Sequence, residues 1–207
     1  MDIKNDLPME QTILEVAEKL FLEKGFTSTS TTEIAKVAGC NQALVHYYFR
    51  TKDNLFNTIF EKKFKLFFQG VFETKDLEKL SFQEKLKYII ESHFDLLRSN
   101  PRIPALILNE FSRRPEQIKV LREKLHGMPE RLFAEMNKDL QTEIDNRRIR
   151  NINWIDLIFS MISLNATMFI MMPVIEIVLE LDDLQKEIMI QHRKKENVDF
   201  ILKSLRY

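Results

Sequence analysis

Apolar side chains recur every three or four residues through most of this chain and rarely alternate with polar ones. From Gln11 to Lys24 the residues Ile13, Ala17, Leu20 and Phe21 form one stripe, and Gly25 stands where a helix-ending glycine belongs. Ser30-Thr31-Thr32-Glu33 has the capping-box pattern and opens a short helix to Val37. Ala38-Gly39-Cys40 reads as a tight turn, and Asn41 as the N-cap of a third helix through Tyr48. Thr51 can cap a fourth helix beginning at Lys52, with Phe56, Ile59, Phe60, Phe64, Phe67 and Phe68 at helical spacing. Further on, Ser81 to Glu84 is a second capping box before Leu86, Ile89, Ile90, Phe94 and Leu97. Asn100-Pro101 and Arg113-Arg114-Pro115 are breaks, and Pro129 kinks or breaks the charged, amphipathic stretch Glu116 to Arg150. Asn153 caps a long apolar helix whose end Pro173 is expected to interrupt. Asp183 to Leu205 is a last helix, with Ile188, Met189, Phe200, Ile201 and Leu205 as its apolar positions. The expected fold is all-α, with about nine helices. Residues 1–51 form a three-helix head, and residues 52–207 a larger helical body.

Composition sharpens this picture. Four glycines and six prolines in 207 residues argue against turn-rich sandwiches, barrels and glycine-rich phosphate loops. A single cysteine, Cys40, excludes a disulfide framework and fits a reducing cytoplasm. Lys+Arg and Asp+Glu are both 31, so net charge points to no partner class. The first eight residues carry Asp2, Lys4 and Asp6 and no apolar run, so no signal peptide is expected. Leu157 to Ile175 holds no charge and approaches a membrane-spanning length. Ser160, Ser163, Asn165 and Thr167 dilute it, however, and the better expectation is a helix packed on its own domain by one face and on a partner subunit by the other. No membrane partner is expected.

Residues 30 to 52 carry the specific signal. A short helix, a turn with Gly39 and a second short helix make a helix-turn-helix. Ile34, Ala35, Val37, Val45 and Phe49 would hold the pair together, leaving Gln42, Ala43, His46 and Tyr47 outward. A helix with that face free can enter the major groove of double-stranded DNA. Gln can bond adenine, and the Ala43 methyl can touch a thymine methyl. Ser30, Thr31, Thr32 and Asn41 lie at helix starts, where hydroxyls and free N–H groups meet phosphate. Lys52 can close on the same backbone. Residues 26–52 hold Lys36, Arg50 and Lys52 against Glu33, three minus one, or net +2.

The same stretch resembles the TetR (AcrR-like) family of transcriptional regulators. The matching residues are Phe26 and Thr27 after Gly25, Thr31-Thr32-Glu33-Ile34-Ala35, Ala38-Gly39, Tyr47-Tyr48-Phe49 and Lys52-Asp53-Asn54-Leu55. The resemblance implies a homodimer with a DNA-binding head and a body that binds a small effector, usually a repressor released from its operator when effector binds. It implies base contacts from Gln42, Ala43 and His46. It implies phosphate contacts from Thr31, Thr32, Asn41, Tyr47, Tyr48 and Lys52. Three positions depart from the pattern. Val45-His46 stands where Leu-Tyr is common, Leu44 where a small polar residue often touches phosphate, and Arg50 where Pro is common, a change expected to leave the turn unharmed.

In the body, Phe67, Phe94, Phe111 and Met168 are candidate walls for a small, largely apolar effector, with Asn109, Glu110 and Asn165 as polar residues to orient it. No nucleophile–base spacing, paired carboxylates or phosphate loop appears, so no enzyme is expected. His93, His126 and His192 are scattered, so neither a metal site nor another cofactor is expected. The competing class is a helical effector-binding or scaffold protein whose head binds DNA weakly or not at all.

Overall fold

The computed structural model describes residues 8–72 and 79–207, without the side chains of residues 67 and 70–72. Ten α-helices and no strand lie among the described residues. They are α1 (Met9–Ser28), α2 (Thr31–Ala38), α3 (Gln42–Phe49), α4 (Lys52–Phe72) and α5 (Phe82–Ser99), then α6 (Ile103–Arg113), α7 (Glu116–Lys124), α8 (Met128–Asp145), α9 (Trp154–Val178) and α10 (Asp183–Ser204). The extra helix comes from the charged stretch after Pro115. That stretch breaks at His126 and Gly127, both at positive φ, and not at Pro129, which sits harmlessly in the first turn of α8.

The chain divides into two compact units. The first is Met1–Phe64 with Leu106–His126, and the second is Lys65–Ala105 with Gly127–Tyr207. The first unit is built on phenylalanine. Phe21, Phe26, Phe56 and Phe60 make consecutive ring contacts with centroids 4.5–5.5 Å apart, and Phe111 of α6 reaches Phe60 at 6.1 Å. Ile13, Ala17, Ile34, Val45, Phe49 and Leu55 complete this core. Gly25 breaks α1 at φ +80°, which spares a side-chain residue the left-handed region. Thr51 Oγ1 accepts the Asn54 N–H and starts α4 as expected.

The second unit packs α5, α9 and α10 around Phe94, Leu97, Met168, Phe169, Met172 and Ile190. Capping boxes close the starts of α5 (Ser81 with Glu84) and α10 (Asp182 with Gln185). α9 is long and apolar enough to cross a membrane by length and composition. Its buried stripe nonetheless packs on protein and includes Asn165, which is fully enclosed. Pro173 was expected to interrupt α9, but the helix runs on to Val178. Two expected core positions of α10, Ile188 and Phe200, are exposed, while Ile190 and Ile201 are buried.

Asn165 anchors a polar chain through this apolar core. Its Nδ2 donates to the Ile90 carbonyl at 2.9 Å and to His93 Nδ1 at 3.1 Å, and its Oδ1 accepts from Asn197 Nδ2 at 2.9 Å. His93 Nδ1 can accept only while the imidazole is neutral with its proton on Nε2. Burial pushes the His93 imidazole down from 6.5 to about 4. The folded state therefore binds the proton less readily than the unfolded chain. Stability is at its fullest above pH 6.5 and falls as pH drops from 6.5 toward 4. Urea unfolding at pH 7 and pH 4.5 should show a steeper loss in the native protein than in His93→Gln, by about 2–3 kcal/mol. Parallel losses in the two proteins would contradict the buried neutral histidine.

Candidate nucleic-acid interface

Eight residues are too few for α3 to persist as an isolated helix, so its position is set by its packing and its caps. Val45 and Phe49 bury its inner edge against α1 and α2. Asn41 Oδ1 accepts the Leu44 N–H at 2.9 Å and closes the start. The turn before it uses Gly39 at φ +72°, whose N–H returns to the α2 carbonyls of Ala35 and Lys36. Ser30 caps α2 through the Glu33 N–H at 3.1 Å. The second half of the expected capping box is missing, because the Glu33 carboxylate pairs with Lys24 instead.

Asn41, Gln42, Ala43, His46, Tyr47 and Tyr48 are all exposed, as is Thr32, and Thr31 is half-buried. Gln42, Ala43, His46 and Tyr47 therefore share the outward face that the sequence assigns them. Val37 was expected to join α2 to α3. It is 57% exposed, whereas its neighbour Ala38 is buried. Leu44 is half-buried.

A hydrogen-bonded chain crosses the outward face. Gln42 Nε2 donates to Thr31 Oγ1 at 3.0 Å and lies 3.3 Å from His46 Nε2, and His46 Nδ1 lies 2.9 Å from the Arg50 carbonyl oxygen. Arg50 ends α3 in a γ-turn of the rare hand, at φ +63° and ψ −55°, with the Thr51 N–H donated to the Phe49 carbonyl at 2.7 Å. Proline is fixed near φ −65° and cannot adopt this backbone. The Arg50 departure is thus more than a neutral exchange: it belongs to a different turn.

Lys52 lies at the end of this segment. Its ammonium donates to the Phe26 and Thr29 carbonyls at 2.9 and 2.8 Å, and sits 4.2 Å from the centroid of the Phe26 ring. Burial, helped by the nearby Arg114 charge, pushes its pKa down against the opposing pull of the Asp53 and Glu110 carboxylates. Two of its three donors hold the C-terminal turn of α1, a structural task that the sequence did not reveal. Arg114 leans on the same ring from the α6–α7 turn, 3.8 Å from the Phe26 centroid. It pairs with Asp53 and, at 3.2 Å, with Glu110. Asn57 Nδ2 to Gln117 Oε1 at 2.8 Å and Lys124 to Glu61 at 3.2 Å add two more links between α4 and α7. Cys40 is half-buried, and burial pushes its thiol up, away from the reactive thiolate.

The effector candidates separate. Asn109, Glu110 and Phe111 belong to the first unit, where Asn109 is exposed, Glu110 is buried against Arg114 and Phe111 packs on Phe60. Phe94, Asn165 and Met168 belong to the second unit and share its core. Phe67 lies on α4, and its side chain is outside the described residues. Other residues of the second unit line its open spaces. A narrow apolar void of about 20 Å³ lies between α5, α8 and α9, against Leu86, Leu132, Met136, Leu157 and Met161. Trp154 borders both this void and an open cleft of about 760 Å³ that includes Asn137, Gln141, Arg150 and Asn153. The Trp154 Nε1 is buried and has no hydrogen-bond partner among the described residues. No cluster of His, Cys, Asp and Glu suited to a metal ion occurs among the described residues.

Residues 13–59 match the model of the family described as bacterial regulatory proteins, tetR family. The chain is 27% identical over 124 residues to the fatty acid metabolism regulator protein of Bacillus subtilis, covering 60% of this chain and 62% of that protein. It is 36% identical over 88 residues to the HTH-type transcriptional regulator AcrR of Shigella flexneri, covering 40% of each. The matches thus span less than two thirds of these relatives' length. The solved structure of the regulator FadR from Bacillus subtilis in complex with stearoyl-CoA superposes with a TM-score of 0.66 at 17% identity, over 95% of this chain and 99% of that one. At that identity the likeness is one of fold.

Arg114→Ala would remove the cation from Glu110, which is 5% exposed, and from two aromatic rings. Urea unfolding should show a loss of about 2–4 kcal/mol. Adding Glu110→Gln should restore part of it, because the buried acid then carries no charge. A single variant within about 0.5 kcal/mol of the native protein would show that the ion pair adds little.

Proposed function

We propose, for a chain whose head belongs to the tetR family of bacterial regulatory proteins, that it is a cytoplasmic, sequence-specific DNA-binding regulator of transcription, acting as a homodimer and released from its operator by a small effector. The observation that carries the proposal is the free face of α3: Gln42, Ala43, His46 and Tyr47 stand outward on a helix fixed from behind by Val45 and Phe49. Thr31, Thr32, Asn41 and Tyr48 flank that face and supply phosphate contacts, while Lys52 contributes at most its remaining donor. Two copies would read half-sites about 34–36 Å apart, or a multiple of that spacing.

The second copy is assigned to the outer face of α9 and α10. Ile155, Phe159, Met171, Val174 and Ile177 of α9 are exposed, as are Leu184, Ile188 and Phe200 of α10, and these two helices pack side by side. Apolar surface of this extent on neighbouring helices marks an association site.

The effector is placed in the second unit, at the void between α5, α8 and α9. In the present conformation that void has room for about one water molecule. Met136 and Met161 are its adaptable walls, and the indole N–H of Trp154 is a donor awaiting an acceptor. These features suit a flexible apolar chain with one acceptor at its head. The relative named as a fatty acid metabolism regulator, and the similar fold of FadR with stearoyl-CoA, favour an acyl compound.

Selection from a random duplex pool should enrich an inverted repeat, and Gln42→Ala or Tyr47→Ala should weaken binding to it about tenfold or more. No enrichment at low salt would favour the alternative, an effector-binding protein without DNA affinity. Phe159→Lys should turn a dimer into a monomer by sedimentation velocity at micromolar concentration and remove DNA binding with it; a native protein already monomeric would refute the dimer. Trp154 is the chain's sole tryptophan, so its fluorescence reports the void directly. Titration with a medium-chain fatty acid below its micelle concentration should give a saturable change, absent with acetate and lost in Leu157→Trp/Trp154→Phe, which fills the void. An unchanged spectrum would move the effector elsewhere.

A further inference from the structure

We infer that His46 is a positioning residue that decides which end of the Gln42 amide faces the DNA. The inference rests on the DNA-binding reading and refines it from a contact to a base preference.

The Arg50 carbonyl oxygen, 2.9 Å from His46 Nδ1, can only accept a hydrogen bond. The proton of a neutral His46 ring is therefore on Nδ1, and Nε2 presents a lone pair. Gln42 Nε2 lies 3.3 Å from that lone pair. An amide oxygen in that place would set one acceptor against another, so the nitrogen must occupy it. The same nitrogen donates to Thr31 Oγ1 at 3.0 Å, which engages both amide hydrogens within the protein. Oε1 is left as the group Gln42 can offer outward.

The consequence is chemical. A free glutamine bonds adenine with a donor and an acceptor together. Here the donors are held, and the remaining oxygen seeks an amino group, N6 of adenine or N4 of cytosine. The γ-turn at Arg50 is part of the device, because it brings the carbonyl that fixes the ring. A donor at position 46 would reverse the arrangement. Gln42 would turn its oxygen inward and present its NH2 to O6 of guanine or O4 of thymine, while N7, an acceptor on both purines, does not separate them.

Operator selection should be run in parallel on the native protein, His46→Lys, His46→Leu and Gln42→Ala. All three changes are at exposed positions, and circular dichroism with thermal unfolding checks that each variant keeps the native fold. The native protein should enrich adenine or cytosine at one position in each half-site. His46→Lys should shift that position toward guanine or thymine by about tenfold in relative affinity. His46→Leu, which frees the amide, should favour adenine over cytosine. Gln42→Ala should lose the preference at that position and leave the others unchanged. The inference fails if His46→Lys and His46→Leu select the native sequence. It also fails if Gln42→Ala keeps the preference, since His46 would then read the base itself. Failure of the DNA-binding reading is distinct: the native protein would enrich no sequence at all.

Discussion

The structure depends on the anchoring of a helix too short to hold itself. Eight residues form barely two turns, and nucleation alone makes such a segment unstable in water. Two buried side chains, Val45 and Phe49, tie α3 to the core, with Asn41 closing one end and the γ-turn at Arg50 the other. Because so few positions face inward, the rest of the helix is free for recognition. Because the ends are fixed by hydrogen bonds, that free face is rigid before any partner arrives, and rigidity lowers the entropy lost on binding.

The anchoring extends through the first unit by way of Phe26. This ring ends α1, packs on Phe21 and Phe56, and carries two cations, Lys52 and Arg114. Arg114 comes from the α6–α7 turn, so residues well beyond the head in sequence help to hold it in place. Using cations in this way has a consequence for binding. Of the three positive residues between positions 26 and 52, Lys52 is largely committed, leaving Lys36 and Arg50 exposed. In the proposed DNA complex, phosphate recognition would then fall mainly on hydroxyls and helix-start N–H groups, which orient a duplex but release few counterions.

What could be read from the chain is what depends on near neighbours. Helix starts at Ser30, Asn41, Ser81 and Asn153 were legible because each capping oxygen accepts a backbone N–H only two or three residues further on. Gly25 and Gly39 were legible because only glycine takes their backbone easily. The errors share a different cause. Glu33 has the spacing of a capping box, but Lys24, from another helix, attracts its carboxylate more strongly. At Lys52, the carbonyls of Phe26 and Thr29 take two of its three donors, a contact its neighbours in sequence do not show. Val37, Ile188 and Phe200 have helical spacing yet face outward, since periodicity defines a stripe without saying which protein surface will cover it. The γ-turn at Arg50 had no sequence signal, and neither did the hydrogen bond from His46 that uses it.

The longest helix presents the same issue in sharper form. α9 places an amide, Asn165, in the enclosed core and aromatic and aliphatic groups such as Phe159 and Ile177 outside, the reverse of a surface helix. The arrangement makes physical sense only if the outer face is covered. Lipid would suit α9 alone, but the neighbouring α10 exposes Arg193, Lys195 and Glu196 as well as Phe200, and such charges are costly in hydrocarbon. An apolar centre with a charged rim is instead the anatomy of a protein–protein contact. The proposed dimer would use this face of α9, and the polar chain through Asn165 sets which side of the helix turns inward.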